Sequence, residues 1–454
     1  MYPILQLAHF IASYPTEQLP LSTRGMISML ILDLIGATGA GLRSPLANAA
    51  RKSALSAYGL GSINVWLTEY RSSVVGAAMA NSAAASALDI DDGHRGAAGH
   101  AGAGVIPAAL AVAQAVGSSA SEVVASIALG YEIALRIASS RPPETIETYA
   151  SGRWVGYGAA AAASRLLGLS AMETAHALGI AGSEGPIVFT TPTSRFDGST
   201  IKEGIPPAVV AGITAAYRAQ EAATGPLDLL NDESRFDRHT LLENLGGSWE
   251  VQKCYLKPYA CCRYMHAAVD AILSIRRDNT EIRMLRIETF PQAMRLENQR
   301  APKNLVGAQY SFFLSCALAA LYGAEALQPV NLDSLSDDRV LDLAGRIELA
   351  ASSEFATAFP GGTPARVLLD QGQGIEERLV LHPLGDVANP MSAEQIKQKF
   401  KNITKEDLDQ QWQERIIAAV SNFEANDLSF FVAALRPLDR EDVRGSERYT
   451  SVIL

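Results

Sequence analysis

The sequence predicts a mainly α protein: a large all-helical domain with a smaller α+β lid domain inserted before the C-terminal helices. Three observations predict it. Residues 1 to about 268 are rich in Ala and Leu, with apolar positions recurring at helical spacing. After about residue 275 the texture changes to β-branched, alternating segments separated by turn signals. From NPMSAEQIKQKFKNIT onward the helical pattern returns. The expected division is therefore residues 1–268 plus 396–454 for the helical domain and 269–395 for the lid.

Within the first part, GAAMANSAAASAL (76–88) and GAAAAASRLLGL (158–169) are rows of small residues. Such surfaces let helices approach closely, so both read as central helices packed on all sides. In the inserted part, MLRIETFPQ, GRIELAAS, ARVLLDQGQG and EERLVLHPL read as strands, and LVGAQYSFFLSCALAALYG as a buried helix. In the returning part, Ser392 and Gln395 have the spacing of a capping box. No internal repeat or low-complexity linker interrupts the chain.

Composition narrows the function classes. The chain has 454 residues, 48% hydrophobic and 19% charged, enough for a large core. Its net charge of −10 carries no basic footprint of a nucleic-acid binder. The 4 cysteines, Cys254, Cys261, Cys262 and Cys316, do not form a disulfide framework, which points to a reducing, cytoplasmic setting. The start MYPILQLAHFIASY lacks a basic n-region and a cleavage site, so no signal peptide is expected. No apolar run is expected to span a bilayer; Asn81, Ser82 and Ser86 interrupt the best candidate.

Chemistry concentrates in DIDDGHRGAAGHAGAGVIP, residues 89–107. Asp89, Asp91, Asp92, His94 and His100 lie between two apolar runs, and the intervening glycines make the connection a loop. Charges and imidazoles held between buried helices are costly unless paired or functional. Three further patches accompany it. The first is SRFDGSTIKEG, from Ser194 through Lys202 to Gly204; the second is KPYACCRYMH, from Lys257 through Arg263 and Tyr264 to His266; the third is Gln309-Tyr310-Ser311. Taken singly, each has an ordinary structural alternative: a satisfied core histidine, a loop carboxylate, a surface lysine, a carboxylate-bonded arginine. The spacing of Asp91, Asp92, His94 and His100 matches neither a zinc pattern nor a calcium loop, and Cys261-Cys262 lacks the CxxC separation. GAAGHAGAG is neither a Rossmann nor a Walker sequence, and no GxSxG occurs. No metal and no cofactor is therefore expected.

These patches, in this order, resemble the MmgE/PrpD family, whose members include 2-methylcitrate dehydratase, cis-aconitate decarboxylase and iminodisuccinate epimerase. LDIDDGHRGAAGHAGAGVIPAALAVA is similar to the family's LDFDD…H…PA segment, and KPYACCRYMHAAVDAI to its KxYPCCRxTHxxIDA pattern. GAAAAASRLLGLS, IKEGIPPAVVAG, AQYSFFLSCALAAL and NPMSAEQIKQKFKN occupy the places of its other segments. The resemblance implies a homodimer acting on small di- or tricarboxylates, without metal or organic cofactor, through proton transfer at carbon beside a carboxylate. It places Asp89, His100, Lys202 and His266 at site positions, with Asp91 and Asp92 in the same acidic segment. The chain departs from the family pattern at Gly93, where a hydroxyl residue is usual, and at Leu314, where tyrosine is common. It departs again at Ala101, in place of a proline, and in YASGRWVGYG, which has Arg153 and no histidine.

Such chemistry needs a base or acid near the carbon and cations to hold the growing enolate charge. The candidate catalytic residues are His100, Lys202, His266, Asp89 and Asp91. The candidate substrate-binding residues are Arg263, Asp92, His94, Tyr264 and Tyr310. The leading expectation is a dehydratase of a 2-methylcitrate-like acid. The alternatives are an epimerase of an iminodisuccinate-like acid, a decarboxylase, and a non-catalytic binder on the same scaffold.

Overall fold

A computed structural model describes residues 2–142, 146, 148, 150–186, 201–425 and 427–437. Its architecture is mainly helical, with apolar side chains gathered in two large cores. The first runs from Ile4 to Leu256 and resumes at Met391. The second runs from Tyr259 to Leu369. The chain therefore leaves the first core near residue 257, about ten residues earlier than the texture of the sequence suggests. The helix His266–Ile275 packs in the second core, against Phe312–Tyr322 and the sheet.

The small-residue helices are central. In Val74–Ser86 and Gly102–Val116 buried side chains occupy every face of most turns. Ala120–Ser139 and Val155–Leu166 cross at Gly130 and Gly158, where a Cβ added at Gly158 would lie 2.6 Å from the Gly130 carbonyl oxygen. Only glycine permits that approach. Gly158→Ala is expected to lower stability by about 1–3 kcal/mol, the usual cost of overpacking, as a drop in the thermal midpoint. An unchanged midpoint would mean that this crossing is looser than described.

Leu21–Gly41 corrects one expectation. It is 21 residues long and apolar enough, by length and composition, to cross a membrane. Here it is a core helix instead. It packs against Val74–Ser86 and Ala393–Thr404 and carries the buried Asp33, whose Oδ1 lies 2.5 Å from Lys399 Nζ. A charged pair at mid-helix is costly in lipid and tolerable here only because both partners are present. Lys399 also donates to the Ile90 carbonyl at 2.8 Å, so the returning C-terminal helix grips the acidic loop directly. Ser392 and Gln395 form the expected capping box at the start of that helix.

The inserted segment builds one four-stranded sheet in the order Glu348–Ala351, Met284–Thr289, Ala365–Asp370, Ile375–Val380. The first pair is parallel and the others antiparallel. Ile287 faces Val367 and Leu285 faces Leu369, which puts alternate residues into the second core. The buried helix expected over LVGAQYSFFLSCALAALYG is broken. Leu305–Gln309 ends before Tyr310, and Phe312–Tyr322 begins after Ser311, whose hydroxyl accepts from the Leu314 amide. That break turns Gln309 and Tyr310 toward Lys202. Residues Ser194–Thr200 of the lysine patch, and 438–454 of the returning part, lie outside the described residues.

Candidate active site

The acidic loop is shaped by its backbone. Helix Val74–Ser86 ends at the Ala87 cap, and Asp89 takes a positive φ of 54°, which turns the chain sharply. The loop closes on itself at the His94–Gly99 bridge, and Gly93–His94 pairs with Cys254–Tyr255. That short ladder lays the Lys257 segment beside the acids. Gly93 is required there, since a Cβ at this position would lie 2.4 Å from the Tyr255 hydroxyl. The tyrosine fills the space that a side chain at the departing family position would take.

His100 is the centre of the cluster. Its Nδ1 lies 2.6 Å from the Asp92 carbonyl oxygen. A carbonyl only accepts, so Nδ1 carries hydrogen and Nε2 is the working nitrogen. Nε2 lies 3.6 Å from Asp89 Oδ1 and 4.0 Å from Glu203 Oε1, while Asp91 Oδ2 is 3.5 Å from Nδ1. Burial opposes the imidazolium, but the carboxylates of Asp91, Glu203 and Asp89 outweigh it, and the pKa is raised.

Two lysines converge on one carboxylate oxygen. Lys257 Nζ lies 3.2 Å and Lys202 Nζ 3.7 Å from Asp89 Oδ1. Burial pushes the Asp89 pKa up, but Lys257, Lys202 and His100 together hold it well below the usual carboxylate range. Burial works against the Lys257 charge as well, and Asp89 and Asp91 overcome it, so its pKa is raised. Lys202 also donates to Gln309 Oε1 at 3.0 Å and sits 5.4 Å from the centre of the Tyr310 ring. Gln309 is fixed in turn by its bond to the Ala87 carbonyl, 3.3 Å away. Asp92 lies behind the histidine. Burial and the neighbouring Asp91 push its pKa up to about 7, and the Tyr131 hydroxyl lies 3.3 Å from its Oδ2.

The structure thus brings together Asp89, Asp91, His100, Lys202 and Tyr310, backed by Asp92. The other candidates are engaged elsewhere. His94 Nδ1 accepts from the Ala97 amide at 3.1 Å, and its Nε2 faces Glu250 at 3.4 Å. It lines a separate cavity of about 620 Å³ together with Arg95, Glu250, Lys253 and Asp386. Tyr264 packs edge-on to Phe290 and Phe359, with ring centres 5.0 and 5.5 Å away. Arg263 donates to the Leu384 and Pro383 carbonyls at 3.0 and 3.3 Å and pairs with Asp386 at 3.3 Å. His266 is held at both nitrogens, Nδ1 by Arg263 at 3.2 Å and Nε2 by the Cys261 carbonyl at 3.1 Å. Burial and the charges of Arg263 and Lys257 push its pKa well down, so it is neutral. In this arrangement Arg263 and His266 brace the Cys261–Cys262 turn and the 383–386 segment. Arg263 Nε, also buried, has no hydrogen-bond partner among the described residues.

Sequence reasoning missed Lys257, Glu203 and Gln309 as site residues. Each adjoined a residue that was singled out: Lys257 opens the motif that ends at His266, Glu203 follows Lys202, and Gln309 precedes Tyr310.

Asp89, Asp91 and His100 also offer three ligand atoms within 4.8 Å of one another. The donor set does not suit a resident metal ion. The Asp89 oxygen already holds two ammonium groups, and a dication would stand directly beside both.

Comparison with known proteins agrees with this organisation. Residues 5–244 match the MmgE/PrpD N-terminal domain, and residues 259–425 match the MmgE/PrpD C-terminal domain. A cis-aconitate decarboxylase of Aspergillus terreus is 24% identical over 440 residues, covering 88% of each chain. A cis-aconitate decarboxylase-like protein of Aspergillus oryzae, oryM, is 22% identical, covering 95% of this chain and 96% of its own. The two matched domains span most of the sequence and meet between the two apolar cores, and the chain belongs to the MmgE/PrpD family.

Proposed function

We propose that the protein is a lyase of a small di- or tricarboxylate, with decarboxylation of an unsaturated tricarboxylate as its leading reaction. One observation carries this reading: a buried imidazole, its charged form favoured by flanking carboxylates, presents Nε2 beside two lysines that meet at one anion position. That is a proton donor next to a cationic cradle. The similarity to relatives described as cis-aconitate decarboxylases supports the choice of substrate.

The steps follow from the geometry. Substrate carboxylates take the two ammonium groups that Asp89 holds in the free protein. The bond to the departing carboxyl breaks, carbon dioxide leaves, and its bonding pair stays on the substrate as an enolate-like anion. Lys202 and Lys257 stabilise that charge in a site shielded from water. His100 Nε2 then delivers its proton to carbon, and the imidazole regains a proton from solvent. Dehydration is the second reading, because the same donor can protonate a leaving hydroxyl while Asp91, beside the imidazole, removes the carbon-bound proton.

A panel of di- and tricarboxylates, followed by NMR, tests the class. Carbon dioxide with a new C–H bond marks the leading reading, and an alkene with loss of water the second. Inversion without loss of either marks an epimerase, and thermal stabilisation without any conversion marks a binder; these two results reject the proposal. Activity is expected to survive exhaustive chelation unchanged. Loss that one metal ion restores would overturn the reading of the Asp89–Asp91–His100 donors given above.

A further inference from the structure

Glu203 lies in the SRFDGSTIKEG patch but was given no role from the sequence, yet it reaches His100 from two directions. Its Oε2 accepts from the Ser151 amide at 3.1 Å and from the Ser151 hydroxyl at 2.6 Å. The same hydroxyl oxygen accepts the His100 backbone N–H at 2.9 Å. A hydroxyl has one hydrogen, so the direction of the relay is fixed: His100 N–H to Ser151 Oγ, and Ser151 O–H to Glu203. The other carboxylate oxygen, Oε1, is then left facing the His100 ring at 4.0 Å from Nε2. Backbone, serine, carboxylate and imidazole close a ring around one residue.

The surrounding chain is built to hold that ring. Lys202, Glu203 and Gly204 all have positive φ, at 44°, 59° and 72°, a conformation that the first two residues adopt only when their surroundings impose it. A Cβ at Gly99, next to His100, would lie 2.4 Å from Ser151 Oγ, so a larger residue there would push the loop off the relay. The turn that aims Lys202 at Asp89 thus aims Glu203 at His100, and the two cannot be placed independently. Ser151 lies in the segment where family members often carry a histidine and this chain does not.

We propose that Glu203 is the positioning residue of this site, fixing the His100 loop through Ser151 and facing the working nitrogen with its second oxygen. This rests on the reading of His100 as the proton donor. Glu203 leaves the substrate to the lysines and acts through the imidazole. The other titratable groups around that imidazole are Asp89, Asp91 and Asp92 on its own loop and Lys257 on the neighbouring segment. Of the carboxylates that favour the imidazolium, Glu203 alone comes from outside the loop. Its removal is therefore expected to lower the His100 midpoint.

The test is an NMR titration of the full-length protein, which has 7 histidines. The His100 signal is the one missing from His100→Gln. In Glu203→Gln the midpoint is expected to fall by about 1 unit, the low end of the effect of one nearby opposite charge. With an accepted substrate, kcat is expected to fall about tenfold, with KM within twofold of wild type. The pH profile of kcat is expected to move with the NMR midpoint. A folded Glu203→Gln with an unmoved midpoint overturns the proposal, and so does a rise in KM alone, which would make Glu203 a substrate contact. Should that variant not fold, Ser151→Ala serves instead: it breaks the relay and leaves the carboxylate, and a His100 midpoint and kcat both equal to wild type would overturn the proposal. The titration needs no substrate. Failure of the lyase reading would show separately, as a shifted midpoint with no turnover of any acid in the panel.

Discussion

Replacing His100 by glutamine is expected to lower kcat/KM at least about a hundredfold, the low end of general acid–base catalysis. Glutamine keeps hydrogen-bonding capacity near the Asp92 carbonyl but cannot carry and release the proton. The loss should fall mainly on kcat, because the lysines that hold the substrate remain. The pH profile supplies a second reading. The raised pKa of His100 means that the donor is charged at low pH and is lost as pH rises through that value. Wild-type activity should therefore decline on the alkaline side, and this limb should vanish in His100→Gln together with most of the activity. Asp89 contributes no limb near neutrality, since its neighbours hold its pKa well below the usual range. Near-wild-type turnover in His100→Gln would remove His100 from the chemistry.

Replacing Lys257 by methionine is expected to damage stability as well as activity. Lys257 is fully buried, and its ammonium lies 3.2 Å from Asp89 Oδ1. Removing one member of a buried pair leaves the other charge uncompensated, typically at a cost of about 3–5 kcal/mol. Lys202, at 3.7 Å from the same oxygen, offsets part of this. The double variant Lys257→Met/Asp89→Asn separates the two effects. It should regain part of the lost stability, because the carboxylate left facing an absent ammonium is gone, while Lys202 loses Asp89 and keeps Gln309; it should stay inactive, because half of the cationic cradle is gone. Thermal unfolding and turnover of Lys257→Met, Asp89→Asn and the double variant check this. A double variant no more stable than Lys257→Met would show that the pair at Asp89 is not what holds the lysine in place.

The fold was largely legible because its signals are local. Rows of alanine and glycine at 76–88 and 158–169 announce helices packed on every side, and the strand texture at MLRIET and ARVLLD announces the sheet. The exceptions are places where one residue changes the outcome. Ser311 offers its side chain to the Leu314 amide and so splits an apolar run that reads as one helix. The buried Asp33 of Leu21–Gly41 has its partner, Lys399, 366 residues away, so no local signal reveals the pair.

The site was legible in outline for a different reason. Buried carboxylates, imidazoles and lysines are unusual enough to mark their own positions. Their partners could not be read from the sequence. Whether Arg263 and His266 face a substrate or each other depends on where the Leu384 and Pro383 carbonyls lie, which no spacing reveals. Glu203 was hidden because the lysine beside it has an ordinary alternative as a surface residue, and only the left-handed turn at 202–204 brings both inside.

The most direct measurement is turnover of cis-aconitate, and of the other acids of the panel, in heavy water, read by proton and deuterium NMR. The expected result is a product with one deuterium at the newly made C–H position, formed by the wild-type protein and slowed at least about a hundredfold in His100→Gln. Wild-type protein that binds these acids yet neither converts them nor exchanges any carbon-bound hydrogen would contradict the assignment of this cluster as a proton-transfer site.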